Sequence, residues 1–168
     1  MRGNLNQAQL DILFLKAVEF LENQAYEATS EGQQERTLTK NQIGPALRKF
    51  ALSLGIPQLV VRHDGDSPVR PLLRHGMTFL PDAQISLGSQ KVLAVEVKIL
   101  RESDPSGSLS KALGQTFMYR SLGYEISLGM IFDFRRKAHA DLHDSLSKVG
   151  STSERIKVLL FNPTLNQR

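Results

Sequence analysis

Residues 92–100 read VLAVEVKIL, an almost unbroken apolar run that carries two charges, Glu96 and Lys98. A run of this length and Val/Leu/Ile content predicts a central strand covered on both faces. Unpaired charges there are expensive. The residues before it, FLPDAQISLGSQ from 79 to 90, supply a partner strand and a turn. A three-residue turn at Gly88-Ser89-Gln90 predicts an antiparallel register in which Asp82 faces Glu96, Gln84 faces Ala94 and Ser86 faces Val92. On the other face Ala83 meets Val95, Ile85 meets Leu93 and Leu87 meets Lys91. That second face is apolar almost throughout, as a face turned to a core should be.

The first face sets Asp82 directly opposite Glu96, with Cβ atoms roughly 5 Å apart. Lys98 points the same way, about 7 Å along the strand. Like charges directly opposite each other destabilise a sheet, and a cation between them removes the cost. Hard oxygen donors suit Mg²⁺ or Mn²⁺. A lysine beside them can orient a water for attack on a phosphodiester, or stabilise the charge that develops. The bland alternative is a surface hairpin with an Asp–Lys–Glu charge cluster and no chemistry.

The rest of the chain reads as alternating helices and strands. Residues 4–24 fit an amphipathic helix, with Leu10, Leu13, Phe14, Ala17, Val18 and Leu21 at spacings of three and four. Residues 25–37 are polar and read as a loop. Residues 39–54 form a second helix whose regular part begins near Gly44, because Pro45 belongs in a first turn. PQLVVRH is a short strand, and 62–78 an irregular basic segment. Residues 101–108 read as a loop or a mobile flap, and 109–122 as a helix capped by Ser108 or Ser110. A strand at 124–134, a helix over RRKAHADLHDSLSKV and a strand at RIKVLLFN complete the order. The expected class is α/β or α+β, a central mixed sheet flanked by helices, in one domain spanning 1–168.

Composition narrows the function classes. The chain has 168 residues and no cysteine, which excludes disulfides, thiolate zinc sites and cysteine nucleophiles. No apolar run is long enough to span a membrane, and the first 25 residues lack the order of a secretory signal. A cytoplasmic, intracellular setting is the default expectation. Lys and Arg total 21 against 17 Asp and Glu, a net charge of +4 that permits a polyanionic partner without requiring one. No phosphate-loop or serine-hydrolase motif is present.

Pro81-Asp82, a gap, and Glu96-Val97-Lys98 on the next strand resemble the signature of the PD-(D/E)xK nuclease superfamily. Gln115 and Tyr119 lie on the following helix, where a subset of that superfamily carries Gln-x-x-x-Tyr. The order helix, three strands, helix, strand also resembles the family core, over residues 35–134. The resemblance implies a restriction-endonuclease-like fold and a Mg²⁺-dependent (or Mn²⁺-dependent) nuclease acting on DNA. It implies Asp82 and Glu96 as metal ligands, the Val97 carbonyl as a further ligand, and Lys98 positioning the water. Gln115 and Tyr119 would support the site or touch the DNA backbone. The family often adds an acidic residue from an N-terminal helix; Glu35 is the candidate, with Glu19 and Glu31 competing.

Cations flank these positions: Arg62, Arg70, Arg74 and His75 before Asp82, Arg101 after the lysine strand, and Arg135, Arg136 and Lys137 after IFDF. They suit phosphate contacts that position a duplex, or simple solvated faces. His139 and His143 are one helical turn apart, and a solvated face is the expected reading for them. The expected partners are DNA and either a second copy of the chain, a homodimer being the natural way to cut both strands, or a larger nuclease system. The alternative function is a non-catalytic nucleic-acid-binding or assembly module that retains the fold.

Overall fold

The computed structural model describes residues 4–27, 35–64, 72–74, 77–101, 103–134 and 140–162. Helix α1, Gln7–Glu22, starts from a capping box in which the Asn6 side chain accepts from the Gln9 backbone N–H and the Gln9 side chain accepts from the Asn6 backbone. Its apolar stripe, Leu10, Leu13, Phe14, Ala17 and Leu21, is buried.

The second helical segment is longer than expected. The regular α-helix starts at Gly44, as expected (α3, Gly44–Ser53), but helical backbone precedes it: α2 (Glu35–Leu38), in the stretch expected to be a loop, runs into one wide π turn, Thr39–Ile43. Pro45 supplies the physical reason, because it has no N–H to donate and its ring crowds the preceding turn. The backbone widens there instead of ending, with the Gly44 N–H donating to the Thr39 carbonyl. Glu35 is therefore in the first turn of a helix and not in a loop.

Strand β1 (Leu59–His63) pairs antiparallel with β4 (Ala83–Leu87). Between them, β2 (Leu72–Arg74) and β3 (Met77–Phe79) form a short separate ladder within the segment expected to be irregular. Strand β5 (Gln90–Leu100) is the longest. It pairs antiparallel with β4 and parallel with β6 (Ile126–Asp133), which is joined in parallel to β8 (Ile156–Phe161). A two-residue β7 (Gly150–Ser151) ends the sheet, whose order is β1-β4-β5-β6-β8-β7. This is the mixed α/β sheet anticipated, with five principal strands and β5 inside it.

The expected β4–β5 register holds at Ala83–Val95, Gln84–Ala94 and Ile85–Leu93. It fails nearer the turn, where Ser86 faces Lys91 and Leu87 faces Gln90 across a bulge between Ile85 and Ser86. The turn is two residues, Gly88-Ser89, with Gly88 at φ 59, a value glycine adopts without strain. The bulge absorbs the residue that a three-residue turn would have used.

Helices cover both faces of the sheet. Leu93, Val95, Val97, Ile99, Leu128, Met130 and Phe132 pack in one core with α1 and α3. On the opposite face Leu100, Ile131 and Val158 pack with Ala112 of α4 (Pro105–Ser121) and Leu146 of α5 (Ala140–Ser147). Helix α4 begins four residues before its expected start. Asp104, not Ser108 or Ser110, is its cap, accepting from the Gly107 N–H at 3.0 Å, and Pro105 takes the first helical position.

Gly129 brings α4 close. It stands beside Glu96 in the parallel register, and a Cβ there would lie 2.6 Å from Thr116 Oγ1. Thr116 is fully buried and already donates to the Ala112 carbonyl at 2.7 Å. Gly129→Val should therefore push α4 off the sheet and cost about 1–3 kcal/mol, read as a lower midpoint in urea unfolding. An unchanged midpoint would contradict this packing account.

Candidate functional site

Strand β5 runs on after its last β4 partner, Val95, so residues 96–100 have β6 on one side and no β4 on the other. Backbone N–H groups on that open side need acceptors. Two carboxylates provide them. Asp82, just ahead of β4, accepts from the Val97 N–H through Oδ2 at 2.7 Å. Glu35, from α2, accepts from the Ile99 N–H through Oε1 at 3.2 Å. The strand end that β4 leaves open is thus closed by acidic side chains.

Lys98 joins these groups to Glu96. Its Nζ lies 2.9 Å from Glu96 Oε1 and 3.0 Å from Glu35 Oε2, and it donates to the Val97 carbonyl at 3.2 Å. The other Glu96 oxygen, Oε2, accepts from the Tyr119 hydroxyl of α4 at 2.7 Å. Glu96 is 2 % exposed and Lys98 13 %. Tyr119 is fully buried, with its ring edge-on to Tyr124. The Tyr124 hydroxyl in turn donates to Gln84 Oε1 at 2.5 Å.

The electrostatics follow from crowding acids in a poorly hydrated place. Burial, with the neighbouring Glu96 carboxylate, pushes Asp82 up to about 7, against the opposing pull of Lys98 and the Val97 N–H. Burial also raises Glu96, although Lys98 and the Tyr119 hydroxyl favour its charged form. Burial works against the Lys98 ammonium, but Glu96, Asp82 and Glu35 outweigh it and hold the group charged well above the usual lysine range. The Tyr119 phenol is raised by burial and by Glu96, so it stays a hydrogen-bond donor.

The structure thus brings together Glu35, Asp82, Glu96, Val97, Lys98 and Tyr119. Gln115, one turn before Tyr119, lines the open cleft of about 410 Å³ in front of the cluster together with Glu35, Lys98, Ser108 and Lys111. Lys111 was not among the site residues expected from the sequence and Ser108 was expected only as a helix cap, although Lys111, Gln115 and Tyr119 share the spacing that puts residues on one helix face. Glu19 lines a different cavity, with Phe20 and Phe50, and Glu31 lies outside the described residues. Arg62 is half-buried in β1 opposite Gln84, and Arg101 is exposed just past β5. Arg74 has its backbone in β2, with its side chain outside the described set. Arg70, His75, Arg135, Arg136, Lys137 and His139 also lie outside the described residues, and His143 is exposed on α5.

Among the described residues no group of three or more His, Asp or Glu side chains has the spacing to hold a metal ion. Lys98 occupies the space between Glu35 and Glu96. No helix of the described residues is long and apolar enough to cross a membrane. No protein-family model matches the chain, and no curated protein matches it.

The raised Asp82 carboxyl sets a pH dependence for the metal-free protein. A carboxyl near 3.8 in the unfolded chain and about 7 in the folded one contributes stability that is complete below pH 4 and lost as pH rises through 7. Asp82→Asn keeps an acceptor for the Val97 N–H without the charge. In EDTA the variant should melt several degrees above the parent at pH 8, a difference on the order of 2 kcal/mol. The gap should close by pH 4. A gap of the same size at both pH values would contradict the electrostatic account.

Proposed function

We propose that this protein is a metal-dependent nuclease of the PD-(D/E)xK kind, hydrolysing phosphodiester bonds in DNA. The observation that carries this reading is the gathering of three carboxylates, Glu35, Asp82 and Glu96, around one ammonium, Lys98. A structural ion pair needs one acid per base. Three acids leave negative charge in excess in a largely buried place, where it is costly. The donor chemistry fits a hard divalent cation: the Asp82 and Glu96 carboxylates and the Val97 carbonyl are all oxygens. These three would hold Mg²⁺ or Mn²⁺, which when bound supplies Lewis-acid stabilisation of charge on the phosphate.

The chain's own groups have separable roles. Lys98 stays protonated, so it acts as a donor and not as a base; it orients the attacking water through a hydrogen bond to the water oxygen. Glu35 and Glu96 hold the ammonium in this structure; released from Glu96 and the Val97 carbonyl by a cation on both, it would stay anchored by Glu35, with donors freed for the water. Tyr119 fixes the rotamer of Glu96, and the Val97 N–H fixes that of Asp82. Tyr119 is a positioning residue, because its hydroxyl reaches Glu96 and not the cleft. DNA is the proposed partner, and a second copy of the chain would supply the second site needed to cut both strands.

One observation favours a second reading. Both Glu96 oxygens are already engaged, by Lys98 and by Tyr119, as they would be in a binding or assembly module that retains the fold without catalysis. Cleavage assays on plasmid, linear and branched DNA separate the two. The nuclease reading expects cleavage with Mg²⁺ or Mn²⁺ that EDTA abolishes, with Asp82→Asn and Lys98→Ala each lowering kcat by about 100-fold or more. DNA binding without cleavage of any substrate under either metal, unaltered in both variants, would leave the binding module as the better account.

A further inference from the structure

Helix α4 carries a polar strip that the fold does not use. Ser108, Lys111 and Gln115 lie at spacings of three and four, and all three line the cleft shared with Glu35 and Lys98. The buried side of the same helix is Ala112, Thr116 and Tyr119. Every other charged group in this cleft is paired: Lys98 with Glu35 and Glu96, Glu35 with Lys98 and the Ile99 N–H. Lys111 forms no ion pair with any described residue, and neither the Ser108 hydroxyl nor the Gln115 amide is engaged by one.

From this placement we infer that Lys111 and Ser108 form a phosphate subsite, binding a backbone phosphate of the nucleic acid next to the one cleaved. The inference rests on the nuclease reading and extends it to how the substrate is held. The charge balance explains why such a subsite is needed. Glu35 lines the cleft, with Asp82 and Glu96 behind it, and these three acids around the single Lys98 ammonium leave a surplus of acidic groups that repels a polyanion. A cation across the cleft offsets that repulsion for the phosphate it touches. Lys111 is exposed, so it can follow a flexible backbone as a point charge. The Ser108 hydroxyl adds a donor one turn earlier on the helix, and the Gln115 amide adds another to the cleft lining. Contacts of this type position the strand and carry no sequence information.

The test uses the full chain and a short labelled DNA duplex. Affinity is measured in EDTA from about 50 to about 200 mM salt, and steady-state cleavage is measured with Mg²⁺. Lys111→Ala should make the slope of log K against log salt shallower by about one. It should raise KM about tenfold, while kcat changes much less. Lys111→Arg should recover most of both losses, Ser108→Ala should raise KM by a smaller factor, and Lys49→Ala on the exposed side of α3 should match the parent. An unchanged salt slope and KM in Lys111→Ala would overturn the subsite. A parent protein that binds DNA without cutting it would overturn the nuclease reading alone, since the salt slope would still judge Lys111. A parent protein that binds no nucleic acid would overturn both.

Discussion

The site depends on a mismatch in strand length. β5 continues to Leu100, whereas its antiparallel neighbour gives it a last partner at Val95. A strand that outruns its neighbour leaves N–H groups facing nothing, and in a covered sheet those groups must be satisfied. Here carboxylates satisfy them, Asp82 at Val97 and Glu35 at Ile99. Backbone hydrogen bonding thereby fixes the rotamers of two acids that would otherwise repel each other and Glu96. Lys98 then links two of the three acids directly. The fold's own bookkeeping of hydrogen bonds and the assembly of an acidic cluster are one device.

The surroundings hold that device rigid. Gly129 lets α4 approach beside Glu96, which brings the Tyr119 hydroxyl into reach of Oε2. The same helix presents Gln115 and Lys111 to the cleft. The π turn ahead of Pro45 keeps the N-terminal helical segment continuous back to Glu35, so the acid is delivered from a helix end and not from a free loop. Elements from three separated parts of the chain thus meet at the open end of one strand. The cost is a surplus of negative charge away from water, visible in the raised Asp82 and Glu96 carboxyls.

Much of this was readable from residue order. The Val/Leu/Ile run of 92–100 located the central strand, and an assumed three-residue turn gave the pairing from Ala83–Val95 to Ile85–Leu93. That pairing brought Asp82 near Glu96, and it survives the shorter turn because the bulge restores the register. The turn itself was not readable, because a bulge and a longer loop use the same number of residues. Glu35 stood in a polar stretch with no capping signal, and Pro45 argued for a later helix start; only the widened turn reconciles the two. Likewise Asp104-Pro105 outranked the two serines as a start signal for α4, since a carboxylate cap and a proline at the first position act together. Lys111 was hidden by its ordinariness: a lysine on an exposed helix is usually only solvated.

On the proposed reading, Asp82, Glu96 and the Val97 carbonyl form a divalent cation site at the open end of β5. The direct measurement is an anomalous-difference map from crystals soaked in MnCl₂. A peak is expected within bonding distance of oxygens from all three residues, with the Lys98 ammonium moved away from Glu96. Crystals that show no peak there, and keep Lys98 between Glu35 and Glu96, would contradict that reading.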